Sequence, residues 1–221
     1  MKPLIFAICL LLAPFGARAC DLALLLAVDV SGSVDPEEYR IQMDGLAAAL
    51  RDGIVADALV EQRAQVALLQ WTGSSRQKQT VAWTGMHSHA DVLALAEIVA
   101  QDPRIWRNFS TAIGEALIVG QRAFDAVSHC TKWVIDVSGD GISNEGVEPS
   151  AQRAALNNAQ ITVNAIAIET DQTDLTGYFY ENLITGPGAF VVTADGFEDY
   201  PAQIRRKLRR ETTKQVTVLS E

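Results

Sequence analysis

The sequence predicts an α/β protein: a three-layer sandwich with a mostly parallel central sheet, one antiparallel edge strand and helices on both faces. Three observations predict it. Short apolar runs of strand length alternate with segments of helical periodicity. Two of those runs, Leu22-Ala23-Leu24-Leu25-Leu26-Ala27-Val28 and Lys132-Trp133-Val134-Ile135-Asp136-Val137, stop at turns rich in Asp, Ser and Gly, as buried parallel strands do before a crossover. One pair of strands is separated only by Thr72-Gly73-Ser74-Ser75, which fits a hairpin and no crossover.

Taken in order, the first strand spans about Leu22 to Asp29. A helix follows from Pro36 to Arg51, with Asp35 placed to cap it, Pro36 in its first turn, and Glu37 and Glu38 at its positive end. Tyr39, Met43, Leu46 and Leu50 recur at helical spacing as its core face, and Gly53 is placed to end it. Strands over Arg63–Trp71 and Gln77–Trp83 form the antiparallel pair. Ser88-His89-Ala90-Asp91 opens a helix to Gln101 whose inward side is Val92, Leu95, Ala96 and Val99. A loop, Arg104 to Ser110, carries Trp106 and Phe109, for which buried packing is the plainer reading. Thr111 leads a helix over 112–127, and Thr131–Val137 is the next strand. Pro149–Ala159 is helical, Ile161–Ile168 a strand, Asp174–Ile184 a helix, Ala189–Thr193 the last strand and Asp199–Thr212 a closing helix. The basic run Arg205-Arg206-Lys207-Leu208-Arg209-Arg210 reads as a solvated face of that last helix.

Residues 1–19 read as a secretory leader: Lys2, an apolar core from Leu4 to Leu12, Pro14 and Gly16, and the small-x-small site Ala17-Arg18-Ala19. Its apolar core is too short to span a membrane, and no later stretch is apolar enough to do so. An alternative makes Cys20 an acylated lipoprotein cysteine, which Arg18 fits poorly. The mature chain, residues 20–221, is then 202 residues long and reads as one domain. Loss of Lys2 and Arg18 moves the formal net charge from −9 to −11, which argues against nucleic acid as a partner. Export to a periplasmic or secreted location agrees with cysteine use: Cys9 leaves with the leader, and Cys20 and Cys130 remain as an even pair. They lie nine and ten residues before Asp29 and Asp140. If both runs are neighbouring parallel strands, about 4.8 Å apart, both cysteines start at one sheet edge within disulfide reach. A Cys20–Cys130 bridge is therefore expected, against the alternative of two reduced buried thiols.

The chemistry concentrates in Asp29-Val30-Ser31-Gly32-Ser33. One carboxylate and two hydroxyls sit on a strand-to-helix turn, and in an open α/β sheet that edge is where ligands bind. Gly32 lets the loop wrap so that the three oxygens converge. Such oxygens suit a hard dication, Mg²⁺ before Zn²⁺. Alone, this pattern also describes a turn with an N-cap. Ser138-Gly139-Asp140-Gly141 alone is a turn, and Thr111 alone an N-cap. Together, each at the appropriate end of an expected element, they are much more specific.

These three stretches resemble the von Willebrand factor type A domain family and its metal-ion-dependent adhesion site (MIDAS). The resemblance covers roughly Leu22 to Arg210 and implies a Rossmann-like sandwich binding Mg²⁺ or Mn²⁺. It implies that Ser31, Ser33 and Thr111 are direct ligands and that Asp29 and Asp140 act directly or through water. The runs Gln70-Trp71-Thr72-Gly73 and Val81-Ala82-Trp83-Thr84 are similar to a branch of secreted bacterial type A domains. Neutral hydroxyl ligands leave the cation short of negative charge, so an Asp or Glu from a protein partner can replace a water on it. The expected function is a secreted, metal-dependent protein-binding module with no catalytic role. Two alternatives stand beside it: a metal-dependent hydrolase, and a structural subunit of an extracytoplasmic assembly. Against hydrolysis, there is no Gly-x-Ser-x-Gly elbow or phosphate loop, and His87, His89 and His129 form no recognisable triad or metal motif.

Overall fold

The computed structural model describes residues 20–170 and 174–213; the expected leader lies outside them. A six-stranded sheet runs in the order β3-β2-β1-β4-β5-β6. Its strands are β1 (Ala23–Asp29), β2 (Gln65–Trp71), β3 (Gln77–Gly85), β4 (Trp133–Gly139), β5 (Ile161–Glu169) and β6 (Val191–Asp195). Every pairing is parallel except β2 with β3, which makes β3 the antiparallel edge. The helices are α1 (Pro36–Leu50), α2 (Gly53–Glu61), α3 (His89–Gln101), α4 (Ile113–Ala123), α5 (Pro149–Asn158), α6 (Leu175–Asn182) and α7 (Tyr200–Thr212).

Alternation along β1 divides the core. Leu24, Leu26 and Val28 pack with residues of α1, α2, α3 and α7, while Ala23, Leu25 and Ala27 pack with residues of α4, α5 and α6. From β1 the chain moves outward to β2 and β3, then returns to place β4 on the other side of β1. The carboxyl ends of β1 and β4 therefore flank the topological switch point, where an open α/β sheet leaves a crevice. At the opposite edge Cys20 and Cys130 form the expected disulfide, with Cα atoms 4.5 Å apart. His129 stands beside it, but both sulfurs are consumed by the bridge.

Four expectations are corrected. Gly53 does not end a helix: Asp52 accepts from the Ile54 and Val55 N–H groups and starts α2, which the Gly had concealed. The helix expected over 112–127 is α4 followed by a 3-10 turn, Phe124–Val127. The last strand is Val191–Asp195 and not Ala189–Thr193, because the Asn164 side chain ties down the Phe190 N–H before the strand begins. The basic run of α7 is not wholly solvated. Lys207 is fully buried, paired with Asp136 on β4 and with Glu211 one turn on, and Asn164 on β5 donates to Glu211 at 2.6 Å. Burial first, and the Glu211 charge second, push the Asp136 carboxyl well above the usual range.

Candidate metal centre

The structure brings Asp29, Ser31, Ser33 and Asp140 into one hydrogen-bonded chain. Asp29 is the last residue of β1 and wholly buried; one of its oxygens, Oδ1, accepts from the Ser31 N–H at 2.7 Å. Ser31 and Ser33 hydroxyls lie 3.1 Å apart, and Ser33 Oγ donates to Asp140 Oδ1 at 2.7 Å. Asp29, Ser31 and Thr111 are buried, Ser33 is exposed and Asp140 is half-buried.

Gly32 is required here by close approach and not by a left-handed turn. Its N–H donates to the Phe109 carbonyl at 2.8 Å, and a Cβ there would stand 3.2 Å from that oxygen and 3.3 Å from Asn108 Cα. The loop from Arg104 to Ser110 thus lies directly against the serine turn. Arg104 adds two bonds from Nη2, to the carbonyls of Val30 at 3.1 Å and Ser31 at 2.8 Å. On this loop Trp106 is partly buried against the core, but Phe109 is 37% exposed, which corrects the buried reading for that ring.

Thr111 is not an N-cap. Ala112 holds that position, without a side-chain cap bond. The Thr111 backbone is instead clamped to the loop after Asp140: its N–H donates to Asn144 Oδ1 at 2.9 Å, and its carbonyl accepts from the Asn144 N–H at 2.9 Å. Its hydroxyl makes no hydrogen bond among the described residues and stands 3.9 Å from where a Cβ of Gly141 would be, beside Asp140. The same loop is pinned by Glu115, which accepts from the Val147 N–H at 2.9 Å. Gly146 permits this, with φ at +77° and no Cβ to strike Glu115. From α1, Gln42 reaches under the site to the Asp29 carbonyl and to Ser138 Oγ.

The two carboxylates are only partly compensated, by the Arg104 charge and by hydrogen bonds from the serines. Burial, then the Asp140 charge, raises Asp29 to about 8. Burial also raises Asp140, opposed by its bond from Ser33. Asp29 Oδ2 is buried and without a hydrogen-bond partner, although buried oxygens of this kind are normally satisfied. Three hydroxyls and two carboxylates, one of which has an orphaned buried oxygen, are a donor set that fits a hard dication. Gln42, Arg104, Glu115 and Asn144 support the site and carry no motif signal; Glu115 does so from the first turn of α4 and Asn144 from the loop after Asp140, which only the fold brings together.

The family model described as "Protein of unknown function (DUF1194)" matches residues 19–216. The chain belongs to the DUF1194 family. No curated protein matches this DUF1194 chain by sequence. Among solved structures it is similar to a von Willebrand factor type A protein from Catenulispora acidiphila, at TM-score 0.61 and 18% identity, over 88% of this chain and 42% of that one. It is similar to proximal thread matrix protein 1 from the mussel byssus, in a structure titled as having a zinc-occupied MIDAS motif, at TM-score 0.62 and 16% identity, over 88% and 46%. It is similar also to the pilus adhesin SpaC from Lactobacillus rhamnosus GG, at TM-score 0.64 and 12% identity, over 88% and 31%. The DUF1194 chain spans less than half the length of each of these three structures, and at such identities they establish the fold, which is that of a type A domain.

Proposed function

We propose that this DUF1194 protein is an exported binding module that captures a carboxylate of a protein partner on a Mg²⁺ or Mn²⁺ ion. Asp29, Ser31, Ser33, Thr111 and Asp140 would hold the ion. Bound there, it supplies a positive charge with an exchangeable position for an incoming Asp or Glu. The observation that carries the reading is the buried, unpartnered Asp29 Oδ2 on a carboxylate that heads a hydrogen-bonded chain of two serine hydroxyls and a second carboxylate. The chain's own part is to hold these oxygens in place, through Gly32, Arg104 and the Asn144 clamp, and to leave Ser33 and Asp140 open to solvent. Two structural neighbours, a pilus adhesin and a byssus protein with a zinc-occupied MIDAS motif, support the same reading. Export is supported by the Cys20–Cys130 bridge, which persists only in an oxidising compartment.

Binding is favoured over hydrolysis by where the histidines fall. His87 and His89 follow β3 near the Gln65 end of β2, with His89 paired to Asp57, and His129 precedes β4. All three are at the edge of the sheet opposite Asp29, so none is placed to act as a base at the cleft. The test is a crosslinking pull-down from the periplasmic or surface fraction with Mg²⁺ or with EDTA. A partner held in Mg²⁺, released by EDTA and lost with Asp140→Ala supports the proposal. A partner retained by Asp140→Ala makes the chain an assembly subunit, and metal-dependent turnover of a generic ester or phosphoester makes it a hydrolase.

A further inference from the structure

The loop beside the candidate metal centre carries two arginines, one that holds the loop in place and one that pairs with nothing among the described residues. Arg104 spends Nη2 on the Val30 and Ser31 carbonyls, and its Nε is buried with no hydrogen-bond partner. Arg107, three residues on and exposed, lies close enough to repel it. Arg107 makes no ion pair or hydrogen bond among the described residues. Arg40, Arg51 and Arg209 pair with Asp44, Glu97 and Asp52; Arg107 stands instead on the loop that lies against the serine turn, where Asn108 Cα would be 3.3 Å from a Cβ of Gly32. The carboxylates nearest Arg104 are already engaged. Asp35 caps α1, and Asp29 and Asp140 belong to the metal centre. A dication at the metal centre, together with Arg104 and Arg107, would offset the carboxylates of Asp29, Asp35, Glu38 and Asp140 that surround them, so that an acidic segment meets no excess of negative charge there. The arginine loop cannot drift from the site, because Gly32 donates to Phe109 and Arg104 grips the serine turn.

We propose that the loop from Arg104 to Ser110 is a second anchor for the partner, in which Arg107, backed by Arg104, receives a carboxylate other than the one offered to the metal. The partner segment then carries two acidic side chains within a few residues. This rests on the metal-binding reading and narrows it, since a chain with more acidic than basic residues disfavours acidic segments except where local positive charge offsets it. Phe109, exposed with Arg76 stacked 3.6 Å over its ring, closes the far side of the loop, where Glu145 already balances Arg76.

The experiment is an NMR titration of the Mg²⁺-loaded protein with two synthetic peptides that differ only in having Asp-Gly-Asp or Asp-Gly-Asn among Gly and Ser. In the expected result, Arg107→Ala weakens the two-acid peptide by about 1.4- to fivefold, the range of one solvated ion pair, and leaves the one-acid peptide and the Mg²⁺ affinity unchanged. The loss shrinks at high salt, and Arg107→Lys restores part of it. If Arg107→Ala weakens both peptides equally, or neither, the second anchor is wrong. Failure of the metal reading is seen separately, as no response to Mg²⁺ before any peptide is added, and it overturns both.

Discussion

Replacing Lys207 by Met should destabilise the protein by about 3–5 kcal/mol at neutral pH, the cost of removing one partner from a buried ion pair. The structure sets that magnitude. Lys207 has a fully buried side chain, Asp136 is 2% exposed and Glu211 is 0% exposed at the side chain. Glu211 keeps its bond from Asn164 at 2.6 Å, so Asp136 is the group left bare. Met fills the stem's volume, which confines the loss to charge. Asp136 can protonate instead of standing charged, and its raised pKa already leans that way, so the penalty should be smaller at about pH 5 than at pH 7. The assay is urea unfolding with the disulfide intact, read as a fall in midpoint at constant slope. For a protein of this size the melting temperature should drop by roughly 6–20 °C. Adding Asp136→Asn to Lys207→Met should recover part of the loss, because no buried charge is then orphaned. A Lys207→Met protein within about 1 kcal/mol of wild type, or a double variant whose losses simply add, would refute the argument that this cluster ties α7 to the sheet.

Metal uptake should depend on pH with a defined sign. Burial and Asp140 hold Asp29 at about 8, so a dication must displace its proton, and apparent Mg²⁺ affinity measured by calorimetry should rise up to about tenfold per unit between about pH 6 and 8, then level. In the metal-free protein the folded pKa of Asp29 exceeds its unfolded value. Its support for the fold is therefore present at acid pH and lost as pH climbs from about 4 towards 8, a loss that saturating Mg²⁺ should remove from thermal melts. Cys20→Ser with Cys130→Ser opens a link across 110 residues and should cost about 2–5 kcal/mol in urea unfolding, while Mg²⁺ binding at the opposite edge survives in the folded fraction. Gly146→Ala forces a side chain into φ +77° and onto Glu115, and should cost about 1–3 kcal/mol and weaken Mg²⁺ binding through the displaced Asp140 loop.

The sheet was legible because β1 and β5 are apolar along most of their length and β4 carries an apolar run broken only by Asp136, a pattern that strands buried on both faces require. The two strand-end turns gave the carboxylates and hydroxyls for the same reason: a buried strand that stops at Asp with Ser and Gly following has to present those oxygens at the sheet edge. What stayed hidden depends on tertiary neighbours. Lys207 sits in a run of four arginines, and nothing local distinguishes the one cation that faces Asp136 from those that face water. Asp136 itself interrupts an apolar strand and was the available clue, since a buried carboxylate needs a partner. Gly53 reads as a stop signal by composition, and only the Asp52 side chain turns it into a start. Arg104 is seventy-three residues from the Ser31 carbonyl it grips, a separation no periodicity reports.

The central claim is that these five side chains form one dication site, and isothermal titration of Mg²⁺ into the metal-stripped protein tests it most directly. The account predicts a single saturable site near neutral pH, abolished by Asp29→Ala and by Asp140→Ala in proteins that remain folded. Wild-type protein that takes up no Mg²⁺ or Mn²⁺, or an Asp140→Ala variant that binds as tightly as wild type, would contradict it.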